Sequence, residues 1–267
     1  MTTYKNLRGK RIKTFATDLD NEQAEGQIFY QDTANEFKTV VASAAWSSSA
    51  PLSTAKNAMG GFGILTAAVS CGGKTPPTTN ATEEYNGTGW STGGNYPIST
   101  SESGAAGTLT AGLMFGGQNP PETNVTGEYD GSSWTAGGNL NTTRTSLTGA
   151  GTQTAGLLFA GDVLPGPSAL TEEYNASGWT TGGNMSTARR SVGGFGTQTA
   201  AVVTGGNPGP TVTTATEEYD GSSWTAGGAI ATGRRNIGSA GILTAGLAIG
   251  GYTGTAQSTS VEHYNGT

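Results

Sequence analysis

Tryptophan recurs at 46, 90, 134, 179 and 224, at intervals of 44, 44, 45 and 45 residues. Tyrosine keeps step at 85, 129, 174, 219 and 264, and in four units, from Tyr85 to Tyr219, the Tyr stands five residues before the next Trp. A small pair falls 26 residues after every Trp: Gly72-Gly73, Gly116-Gly117, Ala160-Gly161, Gly205-Gly206 and Gly250-Gly251. Agreement at several anchors over five units requires one supersecondary unit repeated five times, which must bury its apolar face against its neighbours.

Each unit divides into four short strands. Small residues such as Ser191–Phe195 follow the Trp segment. A short turn then leads into an apolar run such as Leu157-Leu158-Phe159, and the small pair ends it. After a polar loop comes a Glu-Glu-Tyr strand, an Asp-Gly or Asn-Gly turn, and the Trp strand. Four short strands per ~45 residues is the arithmetic of a propeller blade. The 45 glycines and the low share of charged residues, 12%, therefore read as turn chemistry in an all-β fold and not as disorder. The last unit ends at Tyr264-Asn265-Gly266-Thr267 without a Trp strand, and the first begins at Ala45-Trp46 without a Tyr strand. Laying one after the other restores the five-residue spacing, so residues 45–267 are expected to form a five-bladed β-propeller closed by its N-terminal strand. Trp46, Trp90, Trp134, Trp179 and Trp224 anchor the blades together with Tyr85, Tyr129, Tyr174, Tyr219 and Tyr264.

Apolar strand, Gly-Gly, polar loop, Glu-x-Tyr, short turn and Trp together resemble the Kelch repeat over residues 45–267. Two departures stand out against that resemblance: Kelch rings usually carry six or seven blades, and the Tyr-to-Trp turn is shorter here. The resemblance implies a protein-interaction or carbohydrate-binding module.

Residues 1–44 belong to no blade. Gly26–Val40 reads as two strands around a polar turn, a hairpin spanning about residues 26–40. Arg8, Lys10 and Arg11 lie in a basic cluster before it, and Ile28, Phe29, Tyr30 and Phe37 supply its apolar and aromatic positions. This Gly-Gln-(apolar)-(aromatic)-Tyr hairpin resembles N-terminal attachment segments of bacteriophage tail-fibre and virion-surface proteins. That resemblance implies a virion structural protein, made in the host cytoplasm. Its arm would bind other virion proteins, and its propeller would be exposed to a neighbouring protein or a host-surface glycan. The alternative is a cellular Kelch-type interaction or carbohydrate-binding module.

Charge narrows the partners. Residues 41–267 hold seven Lys/Arg against thirteen Asp/Glu, so the propeller is not expected to bind nucleic acid, which needs clustered positive charge. No apolar stretch has the ~18 residues of a membrane span. Ten residues after successive Trp stand Lys56, Thr100, Arg144, Arg189 and Arg234, with Arg190 and Arg235 alongside; Lys74 opens a variable loop on the same face. These cations form the candidate recognition face for an acidic ligand or glycan carboxylate, with pairing to Glu of a neighbouring blade as the structural alternative. No catalytic residue, cofactor or metal ligand set is expected. The one histidine, His263, and the one cysteine, Cys71, each occupy a repeated strand position, which makes the reading non-enzymatic.

Overall fold

The computed structural model describes residues 48–266 and, before them, the backbone of three strands. It forms two compact units, residues 1–48 and 49–267. In the first, Thr14–Phe15 pairs parallel with Ile28–Gln31, which pairs antiparallel with Glu36–Thr39, setting Tyr30 opposite Phe37. Arg8, Lys10, Arg11 and Trp46 lie outside the described residues.

The second unit is a five-bladed β-propeller, all-β with antiparallel sheets. Blade 1 consists of Gly60–Ile64, Ala67–Cys71, Thr82–Tyr85 and Trp90–Thr92, counted from the inner strand outward. Blade 2 repeats it with Gly104–Thr108, Ala111–Phe115, Thr126–Tyr129 and Trp134–Ala136. Blade 3 has Thr148–Gly151, Gly156–Phe159, Thr171–Tyr174 and Trp179–Thr181. Blade 4 has Gly193–Thr197, Ala200–Thr204, Thr216–Tyr219 and Trp224–Gly227. Blade 5 shows three described strands, Gly238–Ile242, Ala245–Ile249 and Val261–Tyr264. The fourth strand expected there, around Trp46, falls outside the described residues.

One set of ties joins successive blades. The Tyr hydroxyl of each later blade donates to a Glu of the blade before: Tyr129 to Glu84, Tyr174 to Glu128 (2.6 Å), Tyr219 to Glu173 (2.5 Å) and Tyr264 to Glu218. The Trp134, Trp179 and Trp224 indoles donate at 2.9 Å to Thr82, Thr126 and Thr171 of the preceding blade. Each of these rings also stacks at a tilt on its hairpin partner Tyr, with centroids 4.8–5.0 Å apart. Trp179 and Trp224 meet Phe115 and Phe159 of the previous blade edge-on. The aromatic anchors thus bury large apolar bodies while their polar tips stay bonded, as buried Tyr and Trp require.

The small pair serves the same junction through the backbone. Gly73, Gly117, Gly161 and Gly206 donate their N–H to the carbonyls of Thr100, Arg144, Arg189 and Arg234 in the approach to the next blade. Glycine is needed because the chain turns left-handed (Gly72 φ 66°, Gly73 φ 108°) and a Cβ on Gly72 would sit 2.6 Å from the Thr100 carbonyl oxygen.

The junction between blades 5 and 1 is chemically different. Val261 and His263 hold the places of Thr and Glu. Among the described residues no bond links Gly251 N–H to Lys56. Val261 is 47% exposed, whereas Thr82, Thr126, Thr171 and Thr216 at the same position are buried.

Candidate recognition face

The cations ten residues after Trp are internal. Each lies in the linker that leaves one Trp strand and enters the next blade's inner strand. Arg144, Arg189 and Arg234 have no exposed surface. One guanidinium nitrogen bonds a Glu on the third strand: Arg144 to Glu172, Arg189 to Glu217 and Arg234 to Glu262, the last two at 2.5 Å. A second nitrogen serves two carbonyls, one at the small pair and one before the third strand. For Arg189 these are Gly205 (3.2 Å) and Ala215 (2.7 Å); for Arg234 they are Gly250 (2.8 Å) and Ser260 (2.9 Å). The other carboxylate oxygen accepts the backbone N–H seven residues after Trp, from Asn141, Ser186 and Ala231. Burial holds the Arg144 and Arg189 guanidinia below their ordinary range, against the opposing pull of Glu172 and Glu217. Lys56 likewise lies 3.3 Å from Glu83, and both side chains are buried. Burial raises the Glu83 carboxyl, but bonds from Ser53 and the charge of Lys56 outweigh it and leave it below the usual range.

The expectation that Lys56, Arg144, Arg189 and Arg234 face a ligand is therefore corrected in favour of the ion-pair alternative. Burying a guanidinium demands a paired charge and filled hydrogen bonds, and the repeat supplies both.

Blade 2 shows how tightly the set is linked. It has Thr100 for Arg and Gly127 for Glu, and it changes three other positions with them. Tyr96 places its ring against Gly127 and its hydroxyl on the carbonyls of Met114 (3.2 Å) and Val125 (3.3 Å); Val125 corresponds to Leu170 and Ala215 in blades 3 and 4. Ser103 donates to the carbonyl of Gly116, the counterpart of Ala160 and Gly205. Pro97 stands where the other linkers present an N–H to Glu, and proline has none. Five substitutions together remove the ion pair and re-satisfy every backbone group it served.

The remaining candidates reach the surface, each with a partner. Lys74 pairs with Glu102, Arg190 with Asp162 at 2.7 Å, and Arg235 lies over the Tyr252 ring, 5.2 Å from its centroid. Lys74 and Arg235 border a cavity of about 610 Å³ at the ends of the inner strands, with Glu102, Ser146, Ser191 and Asn236. The linkers turn there through one left-handed, non-glycine residue per blade: Ala58, Glu102, Ser146, Ser191 and Asn236, with φ from 52° to 57°. Each N–H from Glu102 onward bonds the carbonyl of its predecessor, forming a chain around the mouth: Glu102 to Ala58, Ser146 to Glu102, Ser191 to Ser146 and Asn236 to Ser191. This rim could not be read from the sequence, because the five side chains share no chemistry.

Cys71 is buried, and burial pushes its thiol up to about 11, away from nucleophile behaviour. Among the described residues no three His, Cys, Asp or Glu side chains gather in one place.

No protein-family model matches the chain, and no curated protein matches it. The fold itself suggests a protein-interaction scaffold.

Proposed function

We propose that the chain is a non-enzymatic structural protein of a bacteriophage particle, a tail fibre or capsid-surface appendage. The N-terminal arm anchors it to other virion proteins, and the propeller stands outside for contact with protein or host glycan. The observation that carries this reading is the division of the chain: residues 1–48 form a compact unit with its own three-stranded sheet, apart from the repeated blades. Its strands are only two to four residues long, below the usual length of about five or six, so a short sheet of this kind gains most by docking on a partner. The arm's likeness to phage attachment segments names that partner. A non-enzymatic role is supported by the use of the repeated cations in internal ties and by the buried, unreactive Cys71.

Deleting residues 1–40 tests the reading. The truncated protein is expected to keep the melting temperature of the propeller and to be missing from purified particles. Incorporation at the full-length level would overturn it.

A further inference from the structure

Above the third strand, blades 3, 4 and 5 fill the same space with a guanidinium, and blade 2 fills it with the Tyr96 ring. Blade 1 has Lys56, which brings a single nitrogen. That nitrogen lies 3.3 Å from Glu83, has no partner in hydrogen-bond geometry among the described residues, and belongs to a side chain only 1% exposed. The Ala81 carbonyl, counterpart of Leu170, Ala215 and Ser260, accepts a backbone N–H from Gly72 but lacks the side-chain donor those three receive. Beside both groups is a cavity of about 90 Å³, walled by the hydroxyl residues Ser53, Thr54, Thr75, Thr79 and Thr92. One water needs only roughly 10–15 Å³ on this measure.

A buried ammonium with unused protons beside an under-served carbonyl calls for a group that accepts from one and donates to the other. A hydroxyl does both. An anionic group would meet the Glu83 carboxylate, and a cationic one would meet Lys56. We infer that blade 1 binds a neutral sugar residue, one hydroxyl of which enters between Lys56 Nζ and the Ala81 carbonyl while the Ser and Thr walls take the others. This rests on the reading of the propeller as an exposed body that meets glycan, and it assigns the contact to one blade and one chemistry.

The test uses the full chain and its Lys56→Arg variant, a replacement that three other blades already accommodate beside the same Glu. Binding of neutral methyl hexosides and N-acetylhexosamines is followed by saturation-transfer NMR and calorimetric titration. The wild type should bind at least one of them saturably. K56R, whose guanidinium fills the cavity, should melt no lower and lose affinity by about tenfold or more. Three results would each overturn the inference: no neutral sugar binds, K56R binds as well as the wild type, or acidic sugars bind in place of neutral ones. Particle incorporation of the wild type is scored separately: a wild type that incorporates normally but binds no neutral sugar refutes this site and leaves the virion role standing.

Discussion

Replacing Arg189 with Met keeps the length of the side chain and removes its charge. Glu217 would then lie buried beside an apolar neighbour, retaining the Ser186 N–H but losing its guanidinium, and the carbonyls of Gly205 and Ala215 would lose a donor. Breaking one side of a buried pair costs about 3–5 kcal/mol, mostly through the charge left behind. In a chain of this size each kcal/mol moves the melting temperature by roughly 2–4 °C, so R189M should melt some 6–20 °C lower. Blade 2 supplies the control. Transplanting its set into blade 4 as M185Y/S186P/R189T/V192S/E217G removes the buried charge and restores the carbonyl donors. That variant should recover more than half of the loss, although it carries four more substitutions. Calorimetry and urea unfolding of both proteins decide the matter. A loss within about 0.5 kcal/mol for R189M, the level of an ordinary surface change, would refute the claim that the guanidinium is an internal tie.

Two further outcomes follow from titrating groups. Asp130 and Asp220 are held at about 2 by the N–H groups of the serines that follow them, and Asn86 and Asn175 close the same turn without charge. Their folded value lies below the ordinary ~3.9, so this stabilisation is present above that pH and is lost as pH falls toward 2. D130N/D220N should melt like the wild type at pH 7 and show a shallower decline between pH 4 and 2; an unchanged decline contradicts the assignment. Tyr174, Tyr219 and Tyr264 are pushed up to about 12 by burial and by their bonds to Glu. Their stabilisation is complete below the ordinary value of ~10 and is lost as pH rises through 12. Y219F should cost about 1.5–3 kcal/mol at pH 7 and reduce the alkaline unfolding step followed by tyrosinate absorbance.

The blades were legible because their anchors are chemically loud. Trp, Tyr and the small pair recur at fixed spacing since blades 1 to 4 each reuse one tilted Tyr–Trp stack and one left-handed exit. The cations were legible as a repeat but not as buried, because a charged residue in a linker ordinarily lies in solvent. The deciding signal was nonetheless present: Thr100 and Gly127 depart in the same unit, and Tyr96, Pro97 and Ser103 depart with them. A charge whose removal is matched by loss of its opposite, loss of an N–H and gain of two hydroxyls is a packed pair. The cavity beside Lys56 was not legible, since it arises from an atom count, one nitrogen where arginine has three. The left-handed rim leaves no mark either, because Ala, Glu, Ser and Asn adopt it through the cooperative bonds of the mouth and not through any preference they share.

Circular completion, with residues 45–47 as the outer strand of blade 5, is what the repeat spacing predicts. Register in the other blades pairs Tyr129 with Trp134 and Glu128 with Thr135; if the closing strand keeps that register, Tyr264 is expected opposite Trp46 and His263 opposite Ser47. Directly opposed residues of an antiparallel pair have Cα atoms about 4.5–5.5 Å apart, within the span of a disulfide. Oxidised S47C/H263C protein, digested and mapped by mass spectrometry, should carry this bond within one chain, remain monomeric and melt higher than its reduced form. Failure of the two thiols to join, or joining only between chains, would contradict a ring closed by its own first strand.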